Sequence, residues 1–244
     1  MVAGLSCAGR GRDGRPDPCL PAHGGWPGCS GGAALRLAGD ASMKSRSPSL
    51  ARICDAAVQH FAVAGYDAAS LNEIAGMVGI RKASLYSHVA SKDELFLLVL
   101  EDAARIERDF VMATLAAPPS AGEPGGAYIE VLAARYDASV HLRFLLRTAF
   151  LPPVALKPVI GKIYIGFLEC LQACFLAQVP DVLSPPDRSR FGHAYLGIVE
   201  SLFVVMIYAD QAETVIRKEA MWRMFRDALA LRMSRASGTS LRPE

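Results

Sequence analysis

Long apolar runs, a regular cysteine spacing and the alternation of β-strands are all missing from this 244-residue chain. Its six cysteines do not form the pattern of a disulfide framework, which favours a reducing compartment. The opening residues, MVAGLSCAGRGRDGRPDP, lack the apolar segment of a secretory signal. The most apolar stretch, LGIVESLFVVMIYAD, carries Glu200 and is too short to span a bilayer. These absences predict a soluble, cytoplasmic protein that does not enter a membrane.

Known catalytic signatures are missing as well. The sequence contains no H-E-x-x-H motif and no paired E-x-x-H motifs. A G-x-G-x-x-G match at residues 9–14 and a G-x-S-x-G match at residues 28–32 both lie in the Gly- and Pro-rich start of the chain, without the flanking strand and helix that a phosphate loop or a nucleophile elbow needs. We therefore predict neither enzymatic activity nor a bound cofactor. A helical enzyme without a recognisable motif is the remote alternative.

Two cysteines, Cys170 and Cys174, are spaced one helical turn apart and share one face of a predicted helix. With His193 they could bind a metal ion or sense oxidants. Two buried thiols are the simpler interpretation, because a metal site needs further ligands and a reactive thiol needs a lowered pKa. The sequence therefore predicts no metal site, and a redox role stays open.

The composition indicates a globular chain with an extension at its N-terminus. Hydrophobic residues make up 52% of the chain and charged residues 20%, which is enough apolar surface for a sizeable core. Residues 1–45 are rich in Gly, Pro and Arg without apolar periodicity, and predict a disordered extension. Met43 offers an alternative start of translation within it. Residues 237–244 are predicted to be a flexible tail.

The apolar periodicity of the remaining chain predicts helices only. A first helix begins near Pro48 and stops at Gly65, and the S-x-x-E patterns at Ser70 and Ser91 predict capping boxes for two later helices. A fourth helix extends from Lys92 to about Leu115. Five more are predicted near residues 127–136, 138–150, 155–178, 187–208 and 211–235, the last of them capped by Asp210. The predicted fold class is all-α with about nine helices.

The stretch SLNEIAGMVGIRKASLYSHVASKDEL, residues 70–95, has the parts of a helix-turn-helix. Ala75 is small enough for the second helix to approach closely, and Gly79 permits the positive φ of a tight turn. Ile74 and Val78 are predicted to face a small core, and Ile80 and Leu85 to anchor the second helix from beneath. Residues 46–95 are therefore predicted to form a DNA-binding domain.

Basic residues at the start of the second motif helix point to a nucleic-acid partner. Arg81 and Lys82 oppose the helix macrodipole, and a phosphate or guanine partner would account for them. Between Lys44 and Lys92 the sequence contains six basic and three acidic residues, although the net charge of the whole chain is only +2. Residues 81–84 are the predicted base readers, and the other contacts are to phosphates. The predicted DNA-binding residues are Ser70, Arg81, Lys82, Ala83, Ser84, Tyr86, His88 and Lys92.

About fifty residues of this region resemble the TetR-type transcriptional regulators. The resemblance rests on Ile53, Ala56, Ala57, Phe61, Gly65, Tyr66, Ser70, Ile74, Ala75, Val78, Gly79, Ile80, Leu85, Tyr86, His88, Val89, Ser91, Lys92 and Leu95. Two departures are Arg81, where the family usually has a small polar residue, and Val89, where it usually has phenylalanine. The departure at Arg81 affects which operator sequence is expected and does not affect the fold.

The resemblance implies a homodimeric repressor that binds a palindromic operator on double-stranded DNA. It also implies a helical body, residues 96–236, that binds a small apolar or amphipathic molecule and releases the DNA in response. The expected location is the cytoplasm, in association with the nucleoid. The alternative is a regulator with a filled core that is controlled by a protein partner or not at all.

Two sets of residues in the body are predicted from their apolar or aromatic character. The last two long helices are apolar on more than one side, which suggests that a symmetric partner covers them. The predicted dimer interface comprises Leu196, Val199, Phe203, Ile207, Trp222, Phe225 and Leu229. The middle helices combine aromatic walls with a few polar groups. The predicted ligand pocket comprises Phe96, Phe144, Arg147, Phe150, Tyr164, Phe167, Cys170, Cys174, His193 and Tyr195.

Overall fold

The computed structural model describes residues 46–119 and 123–238. The predicted disordered extension and the alternative start at Met43 therefore lie outside the described residues, as does the tail beyond Gly238. The described part of the chain contains α-helices and no β-strand, so the all-α prediction is confirmed.

Nine α-helices occur in the described residues, and their bounds lie within a few residues of those predicted. A 3-10 turn, Val154–Leu156, precedes the seventh helix. The helices are α1 Pro48–Ala68, α2 Leu71–Val78, α3 Lys82–Leu85, α4 Lys92–Leu115, α5 Gly126–Ala138, α6 Val140–Phe150, α7 Lys157–Gln178, α8 Pro185–Tyr208 and α9 Gln211–Ala236.

Side-chain caps begin α4 and α9 largely as predicted. The Ser91 hydroxyl accepts a hydrogen bond from the Glu94 amide at 3.0 Å. The Glu94 carboxylate accepts one from the Ala90 amide at 2.6 Å, one residue earlier than a capping box requires. At α9, the Asp210 carboxylate accepts from the Glu213 amide at 2.9 Å. Both helices therefore have a satisfied first turn with an acidic residue near the positive end of the dipole.

The predicted capping box at Ser70 and Glu73 is wrong in its second half. Ser70 does cap α2, because its hydroxyl accepts from the Asn72 amide at 3.2 Å. However, the Ser70 amide nitrogen lies 3.3 Å from His60 Nε2, and a Glu73 carboxylate oxygen lies 3.0 Å from the same nitrogen. Since an imidazole nitrogen accepts when unprotonated and donates when protonated, only one contact is a hydrogen bond at a time. His60 of α1 thus takes the place of the predicted intrahelical partner.

The first helix bends at Gly65, where the sequence predicted its end. Gly65 has φ 76° and ψ 179°, a backbone conformation that favours glycine, and the chain then makes one further turn to Ala68. The bend brings Tyr66 beside the start of α4, where its hydroxyl donates a hydrogen bond to Asp93. The end of α1, in the predicted DNA-binding domain (the head, α1 to α3), is therefore attached to the helix that continues into the body.

The body is a helical bundle in which α4 packs most extensively against α7, and α8 packs against both α7 and α9. The segment Val154–Gln178 and the helix α8 have the length and apolar composition of a membrane span. Each also buries aromatic side chains in the body, Phe167 and Phe175 from α7 and Phe203 from α8. The core covers only part of their apolar surface, because 22% of the most apolar part of the first and 39% of that of the second is buried. On length and composition alone, the prediction that the most apolar stretch is too short to span a bilayer is therefore wrong.

Candidate DNA-binding site

The turn between α2 and α3 is held by backbone hydrogen bonds that the glycine makes possible. Gly79 adopts φ 76° and ψ 30°, in the left-handed region. The Ile80 amide donates to the Ala75 carbonyl at 3.0 Å, which closes the C-terminal end of α2. Ile74 and Leu85 are buried beneath the turn, as the sequence predicted, and so is the small Ala75. The other two predicted supports, Val78 and Ile80, are half-buried. The inner side of α3 is therefore held against the rest of the domain, whereas its outer side is exposed to solvent.

An arginine of α1 adds a support that the sequence analysis missed. The Arg52 guanidinium donates a hydrogen bond to the Val78 carbonyl at 3.0 Å. A cation at this place satisfies an unpaired carbonyl and complements the negative end of the α2 dipole. Arg52 was counted only as part of the basic excess, because spacing alone does not show which side chain reaches another helix.

The predicted base readers form one exposed surface. Arg81, Lys82, Ala83 and Ser84 are all exposed, whereas the next residue, Leu85, is fully buried. The Lys82 ammonium lies 6.0 Å from the centroid of the Tyr86 ring, which is itself about half exposed at 48%. The exposed start of α3 therefore presents two cations, a hydroxyl and an aromatic ring side by side.

Two of the predicted phosphate contacts already have partners inside the protein. The Lys92 ammonium lies 4.5 Å from the centroid of the Tyr66 ring and donates to the Asp67 carbonyl at 3.3 Å. The Ser70 hydroxyl is occupied by the α2 cap. His88 is half-buried. A contact of these residues with DNA remains a prediction, and for Lys92 it requires a change in the direction of its side chain.

The head and the body meet in a cluster of three phenylalanines. Phe61 of α1 packs edge-on against Phe96 of α4 with ring centroids 4.9 Å apart, and Phe96 packs edge-on against Phe144 of α6 at 5.3 Å. Each ring is at most 1% exposed. Phe96 and Phe144 were predicted to line the ligand pocket. Both rings lie instead at the junction, where they join the head to the body.

Arg147, another predicted pocket residue, lies at the same junction. It is exposed, and its guanidinium lies against the backbone of Gly65, where a Cβ atom would come within 3.1 Å of Nη2. The junction also contains a cavity of about 180 Å³ between α1, α4 and α6. Its lining includes Cys54, Asp102 and His141. Burial raises the pKa of the Cys54 thiol to about 11.

The remaining predicted pocket residues do not converge on one cavity. Phe167 and Tyr195 are fully buried, and the Tyr195 ring stacks on Phe175 at 4.3 Å. His193 is exposed, with its Nδ1 atom 2.7 Å from the Ser189 carbonyl. Phe150, Tyr164, Cys170 and Cys174 are half-buried. The predicted pocket is therefore dispersed over the junction, the core and the surface of the body.

Most of the predicted dimer interface faces the protomer's own core, so this part of the prediction is corrected. Five of its seven residues are buried within the chain, because α8 and α9 direct them toward α5 and α7: Val199, Phe203, Trp222, Phe225 and Leu229. Leu196 and Ile207 are half-buried. The large apolar residues that α8 and α9 leave exposed are different ones: Tyr208, Val215, Ile216, Met224 and Leu231.

A buried ion pair in the body was also missed. Glu107 of α4 is only 1% exposed, and both its oxygens accept hydrogen bonds from the Arg135 guanidinium of α5, at 2.8 and 3.1 Å. The Ser139 hydroxyl donates to the same carboxylate at 2.7 Å. The guanidinium carbon of Arg135 also lies 4.2 Å from the centroid of the Phe110 ring. Three elements are thus tied together around a single carboxylate.

Tyr128 of α5 is a further residue that the sequence analysis missed. Its side chain is fully buried, and among the described residues its hydroxyl has no hydrogen-bond partner. Burial raises the pKa of this hydroxyl well above its usual range, so it stays protonated and able to donate. A buried hydroxyl without a partner costs about 1–3 kcal/mol, which a ligand or water that accepts its hydrogen bond would recover.

Replacing Tyr128 with phenylalanine is expected to raise the free energy of unfolding by about 1 kcal/mol, because it removes an unpaired buried hydroxyl. Tyr195→Phe is the matched control, since the Tyr195 hydroxyl donates to the Gly125 carbonyl at 3.1 Å and its loss should destabilise the protein. Urea unfolding followed by circular dichroism measures both. A destabilised Tyr128→Phe variant would mean that the hydroxyl has a partner in solution.

The architecture defines a class of protein: a helix-turn-helix head with an exposed basic surface at residues 81–84, joined by one long helix to an all-α body. Residues 53–99 match the family model described as bacterial regulatory proteins, tetR family. The motif, the fold and this match agree in identifying a TetR-type DNA-binding domain at residues 53–99, which is joined to an all-α body.

Comparisons with individual proteins agree with this assignment. The chain is 36% identical over 61 residues to the biofilm operon icaADBC HTH-type negative transcriptional regulator IcaR of Staphylococcus epidermidis. That match covers 25% of this chain and 33% of IcaR, so it spans about a third of the length of the curated relative.

Two solved structures share the fold over most of the chain. A TetR-family transcriptional regulator from Agrobacterium tumefaciens superimposes with a TM-score of 0.55 at 18% identity, covering 74% of this chain and 96% of that one. AibR, solved in complex with isovaleryl coenzyme A and operator DNA, superimposes with a TM-score of 0.52 at 17% identity, covering 73% and 98%. At this level of identity the similarity establishes the fold.

Proposed function

We propose that the protein is a homodimeric repressor that binds a palindromic operator and is released from it by a small molecule. The observation that carries the proposal is the exposed surface at residues 81–84, supported from behind by a closed turn and a buried Leu85. Two cations followed by a small residue and a hydroxyl suit a major groove, where arginine and lysine pair with guanine. The protein acts in the cytoplasm, on the nucleoid.

Dimerisation is proposed to use the exposed apolar stripe of α9. Ile216, Met224 and Leu231 recur on the outer face of this helix, and Tyr208 lies at the end of α8. A second copy would cover these side chains and place two recognition helices on one face of the DNA. Two-fold symmetry in the protein then requires an inverted repeat in the operator.

Ligand binding is proposed to occur in the body. The support is the buried, unpaired hydroxyl of Tyr128, which lies in the core of this part of the chain. A molecule that accepts its hydrogen bond would be largely apolar, because aromatic rings fill the same core. AibR, which has the same fold, was solved with both isovaleryl coenzyme A and operator DNA.

The filled aromatic core favours a second candidate, a regulator of the same DNA-binding type without a small-molecule ligand. Phe96, Phe144, Phe167 and Tyr195 are all at most 1% exposed and pack against other aromatic rings. In this case the regulator would be controlled by a protein partner, or its DNA binding would not be controlled at all. Thermal unfolding in the presence of apolar and amphipathic small molecules separates the two, because only a ligand-binding body predicts a molecule that raises the melting temperature of the parent more than that of Tyr128→Phe.

Salt dependence of DNA binding tests the proposed phosphate contacts. Tyr86→Phe and Lys92→Ala should weaken binding to every DNA sequence, and Lys92→Ala should reduce the slope of log affinity against log salt by about 0.9. Fluorescence anisotropy with a labelled duplex at several salt concentrations measures both quantities. Lys157→Ala, which removes an exposed cation from the start of α7, is the control with the same change in charge.

Because Lys92 also contacts Tyr66 and Asp67, thermal unfolding must accompany the measurement. A loss of affinity with an unchanged slope would assign Lys92 to the structure of the head and not to a phosphate contact. If Lys157→Ala changed the affinity and the salt slope as much as Lys92→Ala does, the effect would be one of net charge, and the proposed phosphate contact of Lys92 would be contradicted.

A further inference from the structure

The paired cysteines of α7 lie nearer to solvent than the sequence predicted. Cys170 and Cys174 are both half-buried, in the reduced form, and do not belong to the sealed core. Residues four positions apart on a helix share one face, with Cβ atoms about 5–6 Å apart. The two cysteines therefore lie together on one partly exposed face of α7.

The two thiols differ in acidity because they interact with each other. A hydrogen bond from Cys170 lowers the pKa of the Cys174 thiol to about 7. The same hydrogen bond, together with burial, raises the pKa of Cys170 well above its usual range. Near neutral pH, Cys174 is therefore partly a thiolate, the nucleophilic form, and Cys170 remains a thiol.

A third cysteine provides a contrast within the same chain. Cys54 of α1 is 6% exposed, and burial raises the pKa of its thiol to about 11. A thiol that is both buried and protonated reacts slowly. The difference between Cys54 and the α7 pair is therefore one of environment, and Cys54 serves as the matched control.

We propose that Cys170 and Cys174 are an oxidant-sensing pair that a hydroperoxide converts into a disulfide within α7. The Cys174 thiolate attacks the peroxide; an S–O bond forms, the O–O bond breaks, and the leaving oxygen takes up a proton as water or alcohol. The Cys170 sulfur then attacks Cys174; the S–S bond forms, the S–O bond breaks, and the Cys170 proton leaves with the hydroxide as water. The two thiols are oxidised by two electrons and the peroxide is reduced.

Closing this disulfide must distort α7. A disulfide holds its Cβ atoms about 3.5–4.5 Å apart, which is less than the separation across one turn of a helix. Leu171 and Phe175 belong to the same two turns and are fully buried in the core. The side of α7 that packs against α4 would therefore shift.

A shift of α7 can be transmitted to the DNA-binding head through α4. Helix α4 begins at Lys92, beside the helix-turn-helix, and contacts α1 through Phe96 and Phe61. Oxidation in α7 is thus expected to lower DNA affinity, an effect that rests on the proposed DNA-binding function. A strained disulfide is also readily reduced, which suits a reversible sensor.

Peptide mapping tests the chemistry and DNA binding tests its consequence. Both cysteines fall in one tryptic peptide, residues 163–188. After treatment with hydrogen peroxide, this peptide should lose two hydrogen atoms and regain them with dithiothreitol. In the same samples, affinity for an operator duplex should fall by roughly 5–150-fold and recover on reduction, the usual range of coupling between two sites.

Matched variants make the outcome decisive. Cys174→Ser should abolish both the mass change and the response to peroxide, whereas Cys54→Ser should retain both. An unchanged peptide, or a peroxide response that persists in Cys174→Ser, would overturn the proposal. A disulfide that forms without changing DNA affinity would overturn its link to α4. Failure of the reduced protein to bind DNA would contradict the proposed function and leave the peptide result interpretable.

Discussion

Replacing Glu107 with alanine is expected to lower the free energy of unfolding by about 3–5 kcal/mol, because it leaves a largely buried guanidinium without its counterion. Arg135 and Ser139 together donate three hydrogen bonds to this carboxylate, which is 1% exposed. All of these donors lose their partner at once. Denaturant unfolding of the purified variant measures the difference.

Glu130→Ala is the matched control for this prediction. Glu130 also accepts a bond from a cation, the Lys218 ammonium at 2.9 Å, but its side chain is 61% exposed. Exposed ion pairs contribute only about 0–1 kcal/mol, so this variant should be nearly as stable as the parent. Similar losses for the two variants would show that burial does not govern the Glu107 pair.

Replacing Arg81 with alanine is expected to weaken operator binding by about 1–3 kcal/mol and to relax the preference at one base pair. The Arg81 side chain makes no capping bond to α3, so its removal should leave the helix intact. Binding to unrelated DNA should change much less, because phosphate contacts dominate non-specific affinity. The measurement is competition between operator and random duplexes.

A substitution at Ser84 tests the same base-reading surface. Ser84→Ala should change which base is preferred, while Lys157→Ala on the body should change neither affinity nor preference. A preferred sequence that stays identical in Arg81→Ala and Ser84→Ala would contradict base reading by residues 81–84.

The helices and the helix-turn-helix could be predicted from the sequence because their signals are local. Gly79 lies between two apolar anchors a few residues away, and α4 begins at Lys92 and ends at Leu115, as its periodicity indicated. Such patterns need no knowledge of distant partners.

The missed features all depend on partners far apart in the chain. His60 displaces Glu73 at the start of α2, Arg52 reaches the end of α2, and Arg135 lies 28 positions from Glu107. Periodicity identifies an apolar face but not the surface that covers it. Trp222 and Phe225 were assigned to a partner subunit for this reason, whereas the protomer's own core covers them.

Sequencing of genomic DNA fragments retained by the purified protein tests the central claim most directly. The proposed function predicts a single enriched motif that forms an inverted repeat, with two half-sites read by the α3 helices of a dimer. It also predicts that Arg81→Ala weakens this enrichment while Lys157→Ala does not. Retention of fragments without a common sequence, or equal enrichment by Arg81→Ala, would contradict sequence-specific binding through this surface.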